Sequence, residues 1–377
     1  MEEEKAIGLI NKYNRAELTP EQERRLNEWY LLTVAESKAE LKQEQILRIV
    51  DAIRPALPLQ APVKKIILWP RIAAVAAVVL MVIGAYFFLT NSDHSTQQFS
   101  ASQDIAPGKT GATLTLANGV KIKLGNVVNG EIAKQSGITI RKTASGQLVY
   151  EMGTNGGIKA DHNAINKLST AIGETYEVRL PDGSRVWLNG GSSLTYTPGL
   201  TAHGQRRVML TGEGYFEIAK NKSLPFVVET NTQLVTVMGT HFNINSYPDE
   251  PVIKTTLIEG SVRVASNKIQ VDAKVLKPGQ QSSLNKNGDI NVQSADVAEA
   301  IAWKEGYFRF NDEPIQGVMR KLSRWYNIEV HYEGTIPDEK FNGKLSRNIN
   351  ISQALKALES TKTIHFKIEG RRVTVIQ

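Results

Sequence analysis

Few side chains in this 377-residue sequence have the spacing needed for catalysis or metal binding. The histidines show no H-x-x-H or H-E-x-x-H spacing; they are His94, His162, His203, His241, His331 and His365. Ser192 and Ser193 do not form G-x-S-x-G, and the sequence has neither a phosphate-binding loop nor a dinucleotide-binding motif. The absence of cysteine excludes disulfides and thiolate chemistry. We therefore expect no turnover of a substrate, no cofactor and no metal.

One peptide bond could react within the chain itself. A threonine hydroxyl can attack the carbonyl before it when a strained turn presents it, and Gly239 before Thr240 would permit that strain. The alternative is an ordinary glycine turn ahead of a strand, along which Thr240 and Phe242 simply alternate with their neighbours across the sheet. The sequence favours the turn and leaves self-cleavage open.

Aromatic residues in the middle of the chain could bind a ligand. Trp187, Tyr196, Tyr215 and Phe216 could line a sugar-binding face on a β scaffold. Aromatic side chains on strands are more often part of the core, and their spacing here does not separate the two alternatives.

The longest apolar run covers residues 72–89 and contains no charged residue. As a helix it would span about 27 Å, enough to cross a bilayer, so we predict a transmembrane helix within residues 66–90. Lys64, Lys65 and Arg71 precede the run. The positive-inside rule then places the N-terminus in the cytoplasm and the C-terminal region in the periplasm.

Residues 1–60 have the pattern of a small all-α domain. Residues 19–22, Thr-Pro-Glu-Gln, form a helix-start signal, and Leu26, Trp29 and Tyr30 then share one helical face. A core of this size is marginal, so a partner protein could complete it; a self-sufficient bundle is the alternative. We predict that Leu26, Trp29 and Tyr30 contact that partner.

The net charge of +7 does not indicate binding to nucleic acid. Residues 1–65 carry equal numbers of Lys/Arg and Asp/Glu, 11 each. The excess positive charge is spread over the rest of the chain without a block of like charges that could follow a phosphate backbone. We interpret it as a solvated surface.

Residues 100–295 predict a mainly-β domain. Short runs of Val, Ile, Thr and Leu alternate with glycine and asparagine turns, and LANGVKIKL from Leu116 repeats as LPDGSRVWL from Leu180. Asn118-Gly119 and Asp182-Gly183 are strong hairpin turns. We expect stacked hairpins or a solenoid-like sheet.

Residues 303–377 predict a small α+β module with the order β-α-β-β-α-β-β. Its first helix has one apolar face: Ile315, Val318, Met319, Leu322, Trp325 and Tyr326. Its second helix would start at Asn350, with Gln353 completing a capping box. Arg324, Trp325 and Tyr326 suit either a protein interface or the core.

The motifs of the periplasmic part resemble those of the FecR family. They are LPDGSRVWLNGGSSLTYTP, RRVMLTGEGYFEIAKNKSLPFVV, VMGTHFNINSY, TLIEGSVRV and LKPGQQSSL, and the final stretch from AWKEGYFRF is similar to the domain that follows FecR in Bacteroidota proteins and to the secretin/TonB short N-terminal module. Gly214 departs from the alanine expected in relatives, which affects only local packing. Some proteins that resemble FecR are cut at the position of Gly239-Thr240.

The resemblance implies an inner-membrane anti-sigma factor of the single-pass type. It would bind an extracytoplasmic-function sigma factor in the cytoplasm and, through the C-terminal module, a TonB-dependent outer-membrane transducer involved in iron or carbohydrate uptake. Since one helix cannot easily carry a subtle change across lipid, intramembrane and periplasmic proteases would release the cytoplasmic piece. The alternative is a membrane-tethered glycan-binding or envelope-structural protein.

Overall fold

The computed structural model describes most of the C-terminal three-quarters of the chain and a few positions near the N-terminus. The described residues are 12, 19, 21, 22, 24–26, 104–135, 137–152, 164–202, 204–269, 272–336, 338–360 and 363–377. The chain divides into two compact units, Met1–His94 and Ser95–Gln377.

In the first unit, the predicted helix start is confirmed by hydrogen bonds. The amide of Thr19 donates to Gln22 Oε1 at 3.2 Å, and the amide of Gln22 donates to Thr19 Oγ1 at 3.4 Å. Leu26 is helical and half-buried, whereas Trp29, Tyr30 and the apolar run 72–89 lie outside the described residues. No helix among the described residues is long and apolar enough to cross a membrane.

The second unit begins with a domain built almost entirely of strands. The strands up to the middle of this domain are β1 (Lys109–Thr110), β2 (Thr113–Thr115), β3 (Lys121–Lys123), β4 (Gly130–Gln135), β5 (Ile138–Lys142), β6 (Leu148–Met152), β7 (Asn166–Ser169), β8 (Glu174–Arg179), β9 (Arg185–Leu188) and β10 (Ser193–Ala202). The remaining strands are β11 (Gln205–Glu217), β12 (Phe226–Glu229), β13 (Gln233–Val237), β14 (His241–Ser246), β15 (Ile253–Glu259), β16 (Val262–Ser266), β17 (Lys274–Leu276), β18 (Gln280–Leu284) and β19 (Ile290–Ser294).

Strand β11 belongs to both sheets of this β domain. Its first half pairs with β10 and β12, in a sheet ordered β3, β2, β7, β10, β11, β12, β13, β16, β17. Its second half pairs with β9 and β14, in a sheet ordered β4, β5, β6, β8, β9, β11, β14, β15, β18, β19. The two sheets therefore form one curled layer around a shared apolar core, which extends in sequence from Ala112 to Leu276.

Both copies of the internal repeat form the predicted hairpins. Gly119 and Gly183 have φ angles of 82° and 84°, and each donates its amide to the carbonyl three residues earlier, of Leu116 and Leu180 respectively. The first hairpin joins β2 to β3 in one sheet, and the second joins β8 to β9 in the other. The mainly-β prediction is thus confirmed as a curled, mainly antiparallel sheet, in which the two hairpins pair with different neighbours.

The C-terminal module has the predicted element order. It contains β20 (Tyr307–Pro314), α2 (Ile315–Tyr326), β21 (Glu329–Glu333), β22 (Lys340–Ser346), α3 (Ile351–Glu359), β23 (His365–Glu369) and β24 (Arg372–Ile376), preceded by the short helix α1 (Val297–Ile301). Strands β20 and β22 pair with each other, while β24 lies between β21 and β23. The predicted apolar face of α2 is buried from end to end.

The start of α3 corrects the sequence prediction. Asn350 is the N-cap residue, yet its side chain makes no capping hydrogen bond. Asp104 instead accepts hydrogen bonds from the amide and the hydroxyl of Ser352, at 3.2 and 2.7 Å. A carboxylate from a distant part of the chain thus takes the place of the predicted capping box with Gln353.

Candidate functional site: a buried polar seam

Two separate apolar cores lie in the second unit, one in the β domain and one in the C-terminal module. Polar side chains join the two regions, and we call the following residues the polar seam: Asn189, Glu213, Asn243, Trp303 and Arg347. Four of the five are at most 8% exposed, namely Asn189, Glu213, Asn243 and Arg347. Buried polar groups need hydrogen-bond partners, so the partners of these four side chains show how the two regions are joined.

Glu213 is the buried carboxylate of the polar seam. Its Oε2 accepts from Asn189 Nδ2 at 2.8 Å and its Oε1 accepts from Asn243 Nδ2 at 3.0 Å. No described residue forms an ion pair with it. Burial therefore raises the pKa of Glu213, although hydrogen bonds from both asparagines oppose this effect.

The two asparagines connect Glu213 to the residues on the other side. The Oδ1 of Asn189 accepts from Arg347 Nη2 at 3.0 Å, and the Oδ1 of Asn243 accepts from Trp303 Nε1 at 3.1 Å. An amide can donate with its nitrogen and accept with its oxygen, so each asparagine satisfies a carboxylate and a donor at once. Aspartate or leucine could not make both contacts at either position.

Arg347 is the buried cation of the polar seam. Its Nη1 donates to the carbonyl of Trp303 at 2.9 Å, and its guanidinium lies 3.8 Å from the centre of the Trp325 ring. Its Nε has no hydrogen-bond partner among the described residues. Burial lowers the pKa of Arg347 to about 10, against the attraction of Glu213.

A group of ion pairs flanks the polar seam. Arg324 Nη2 lies 2.8 Å from oxygens of both Asp249 and Glu250, and its guanidinium lies 4.0 Å from the centre of the Tyr247 ring. Arg320 donates to Glu250 Oε2 from Nε and Nη2, at 3.1 and 3.0 Å. Burial opposes ionisation of Glu250, but the contacts with Arg320 and Arg324 outweigh it and lower the pKa of Glu250.

The strand pairing explains why these residues meet. Strand β11 alternates buried and exposed side chains up to Thr211 and is then buried on both faces from Gly212 to Phe216. The β domain covers one face there and the polar seam lies on the other. Strand β14 pairs with this part of β11 and brings in Asn243, while Asn189 follows β9 on the opposite side.

A cavity of about 460 Å³ opens beside the polar seam, lined by residues of both regions, including Asn245, Lys254 and Lys321. Its charged residues carry both signs, which suits water or a polar molecule. Among the described residues, no group of three His, Cys, Asp or Glu side chains could hold a metal ion. The arrangement joins two regions and offers no nucleophile paired with a base.

Sequence reasoning missed the residues of the polar seam. The only available signal was a glutamate between two glycines, GEG, in a strand whose neighbouring positions are apolar. That glutamate is buried because the C-terminal module covers it, and a contact with a distant segment cannot be predicted from the residues next to Glu213 in sequence.

The structure places Gly239 and Thr240 in the turn before β14. Gly239 has a φ of 141°, and a Cβ there would lie 2.6 Å from the Cα of Lys220. The Thr240 hydroxyl is buried and donates to the carbonyl of Ser261 at 3.0 Å. Glycine is thus required at 239 by close packing, and self-cleavage stays a prediction.

Arg324, Trp325 and Tyr326 are brought together at the end of α2 and are all buried. Trp325 Nε1 donates to the carbonyl of Arg347 at 2.8 Å, and the Tyr326 hydroxyl donates to that of Ile349 at 2.8 Å. The three side chains are therefore occupied within the chain, as the core alternative predicts. Their direct contact with a transducer stays a prediction.

The four aromatic candidates for sugar binding do not share a face. Tyr196 and Phe216 are part of the β-domain core. Trp187 and Tyr215 pack edge to face, and Lys304 lies 4.4 Å from the centre of each ring. The four side chains therefore do not form one aromatic face, and Tyr196 and Phe216 follow the core alternative; strand alternation points the neighbouring Tyr215 and Phe216 to opposite sides of β11.

Comparison with known proteins gives matches on both sides of the polar seam. The family model described as FecR protein matches residues 166–263, and the model described as FecR, C-terminal, matches residues 307–375. No curated protein matches the sequence significantly.

Two solved structures, both described as a proposed anti-sigma factor from Parabacteroides distasonis ATCC 8503, are similar to this chain. The 1.65 Å structure is 29% identical in sequence and has a TM-score of 0.51, and the match covers 55% of this chain and 97% of the chain in that structure. The 2.50 Å structure is 28% identical and has a TM-score of 0.52, and the match covers 56% of this chain and 99% of the chain in that structure.

Proposed function

This chain belongs to the FecR family by its FecR and C-terminal FecR domains, and on that premise we propose that it is a membrane-bound anti-sigma factor. It holds an extracytoplasmic-function sigma factor through its N-terminal helices and receives a signal from a TonB-dependent outer-membrane transporter. The two domains and the similarity to the proposed anti-sigma factor structures support the role of anti-sigma factor and signal transducer.

The polar seam is the observation that carries the signalling part of this proposal. The C-terminal module meets the β domain through hydrogen bonds and ion pairs, such as Arg347 with Asn189 and Arg324 with Glu250, rather than through a continuous apolar core. Polar contacts can be exchanged for water or for a partner at a smaller net cost than apolar burial. Such a junction suits a module that changes its contacts when a transporter docks on it.

The apolar run 72–89 supports a single pass through the inner membrane, with the N-terminus in the cytoplasm. Under this proposal, proteases of the periplasm and the membrane cut the chain after the transporter binds, and the freed N-terminal piece sets the activity of the sigma factor. Uptake of iron or of a carbohydrate is the process regulated.

Co-purification of the full-length chain with the candidate sigma factor tests the cytoplasmic half of the proposal. We expect the wild-type chain to retain the sigma factor in detergent and the double variant Leu26→Ala, Trp29→Ala to lose it. The matched control is Arg24→Ala, an exposed helical position on the same segment, which should retain it. Equal retention by all three chains would contradict the assignment of this face.

A second measurement tests the periplasmic half. The isolated periplasmic signalling domain of the transporter, added to the full-length chain, should co-elute with it and should still do so with the Leu26, Trp29 variant. A sigma-dependent reporter should respond to the transporter's substrate only in cells that carry both proteins. A reporter that responds equally without the transporter would contradict this half alone.

A further inference from the structure

The segment Asp104–Gly108, which we call the strap, lies against the C-terminal module rather than within the β domain that follows it. The Asp104 carboxylate accepts from the amide and hydroxyl of Ser352 at the start of α3. The carbonyl of Ile105 accepts from the amide of Ile351 at 3.0 Å. Together they satisfy amides that the N-cap residue Asn350 leaves without a side-chain partner.

The strap also completes the apolar core of the module. Ile105 is 8% exposed and belongs to the same cluster as Ile351, Leu355 and Trp325. All other members of that cluster lie between Phe308 and Val375. Ile105 therefore fills a place in the module's core that the module's own sequence leaves open.

Gly108 marks the point at which the strap leaves the module. A Cβ on Gly108 would lie 2.6 Å from the Trp325 ring and 2.6 Å from the carbonyl of Gly173, so only glycine passes between them. The next residue, Lys109, donates its amide to Gly173 at 2.8 Å and begins β1, which pairs with β8. The strap thus runs from the module directly into the β domain.

We propose that the C-terminal module has a peptide groove, formed by the start of α3 and the Trp325 ring, and that the chain fills it in cis with its own strap. The groove selects an extended peptide with an acidic residue followed by a branched apolar residue. The carboxylate binds the free amides of a helix N-terminus, and the apolar residue enters the core.

In sequence the strap lies between the apolar run 72–89 and β1, and by binding the C-terminal module it acts as a latch. A partner that displaces the C-terminal module, or that brings a peptide of the same chemistry, releases Asp104 and Ile105 and frees the chain before β1. This role in signalling rests on the proposed function, whereas the groove and its occupant do not.

Limited digestion of the purified full-length chain by trypsin tests the latch. The sequence has no Lys or Arg between Arg71 and Lys109, so cleavage after Lys109 reports release of the strap. We expect Asp104→Ala to be cut there about five to ten times faster than wild type, the effect of losing a helix cap, with the sites of the β domain after Lys109 unchanged. The matched control is Asp289→Ala, which removes an exposed carboxylate from a hairpin turn.

The latch is contradicted if Asp104→Ala and Asp289→Ala are cut after Lys109 at the same rate. Acceleration at every site together would also contradict it, because Asp104 would then stabilise the whole fold and not the strap alone. Since the chain has no cysteine, Asp104→Cys with Ser352→Cys can be joined by a short thiol crosslinker. Joining them should suppress cleavage after Lys109 relative to the same variant left uncrosslinked.

A synthetic peptide of residues 100–108 with a fluorescent label tests the groove. It should bind saturably to the full-length double variant Asp104→Ala, Ile105→Ala, and at least tenfold more weakly to wild type, whose own strap occupies the site. The same peptide with alanine at position 104 should bind the variant more weakly. Absence of saturable binding to the variant would overturn the groove, and neither measurement involves a sigma factor or a transporter.

Discussion

The β domain and the C-terminal module close their apolar cores in different ways. The β-domain core takes all its buried members from one continuous stretch between Ala112 and Leu276. The module's core contains Ile105, which precedes the rest of that cluster by about two hundred residues. The β domain is therefore complete with its own sequence, while the module depends on a segment from before the β domain.

This difference has a consequence for stability. Removing a residue from the β-domain core should weaken that domain alone, whereas the module should weaken when residues far from it in sequence are changed. The strap and the polar seam are the two sets of contacts on which the module depends, and each can be tested by substitution.

The largest effect is expected for Ile105→Ala. Truncating a buried isoleucine leaves a cavity and costs about 3 kcal/mol of unfolding free energy, here in the transition of the C-terminal module. Chemical denaturation followed by tryptophan fluorescence would measure it. Ile165→Ala, at a position 56% exposed in the β domain, is the control and should change stability by less than about 0.5 kcal/mol. An equal loss in both variants would remove the distinction between the two cores.

A somewhat smaller effect is expected for Arg347→Met. The substitution leaves the Trp303 carbonyl and Asn189 Oδ1 without their donors and should cost about 2 kcal/mol. Lys344→Met changes an exposed cation on the neighbouring strand β22 and should have little effect. Unfolding of the module ahead of the β domain in Arg347→Met alone would confirm that the seam joins them; a single unchanged transition would contradict it.

The pH dependence of unfolding separates Glu213 from Glu250. Because burial raises the pKa of Glu213, the folded chain holds this proton where the unfolded chain has lost it. Its contribution to stability therefore falls as pH rises from the usual glutamate range through the raised pKa. Glu213→Gln should remove this fall, so the variant should gain stability relative to wild type as pH rises above the usual glutamate range.

The contribution of Glu250 to stability changes with pH in the opposite direction to that of Glu213. Its pKa is lowered because its ion pairs with Arg320 and Arg324 outweigh burial, so its contribution is present above the usual glutamate range and is lost as pH falls through the lowered pKa. Glu250→Gln should be less stable than wild type at neutral pH and approach it in acid. Unfolding curves for both variants over the same pH series check the two signs together, and equal slopes would refute the assignment.

The smallest effect on stability is expected at Thr240, within the β domain. Thr240→Ala loses the hydrogen bond to the carbonyl of Ser261 and should cost about 1 kcal/mol, while Thr240→Ser should keep it. Mass spectrometry of the purified chains tests the chemistry at the same residue. A fragment that begins at residue 240 in wild type and Thr240→Ser but not in Thr240→Ala would establish self-cleavage; the same pattern in all three would end the idea.

Two helix starts show how far local sequence can be trusted. At Thr19 and Gln22 the predicted reciprocal hydrogen bonds form, because both partners lie within one turn. At Asn350 and Gln353 the same pattern is present, but Asp104 takes the amide of Ser352. A charged acceptor from elsewhere in the fold is favoured over a local amide at a helix N-terminus, and sequence spacing does not reveal its approach.

The candidate site was the least predictable part. The apolar face of α2 could be predicted from its helical period, but the same period could not show that Arg324 forms an ion pair with Glu250 beside the polar seam. Asn189, Glu213 and Asn243 lie on or beside three different strands, and only the pairing order β9, β11, β14 brings them together.

The sequence by itself determined what depends on neighbours within a few residues. The two hairpins at Gly119 and Gly183, the β-α-β-β-α-β-β order and the FecR resemblance all follow from short patterns of side-chain size, charge and backbone freedom. The tertiary structure alone decided that the sheet curls through β11, that Asp104 and Ile105 complete the C-terminal module, and that Glu213 is buried. These features are contacts between distant segments, whose energies depend on packing and desolvation that no local pattern contains.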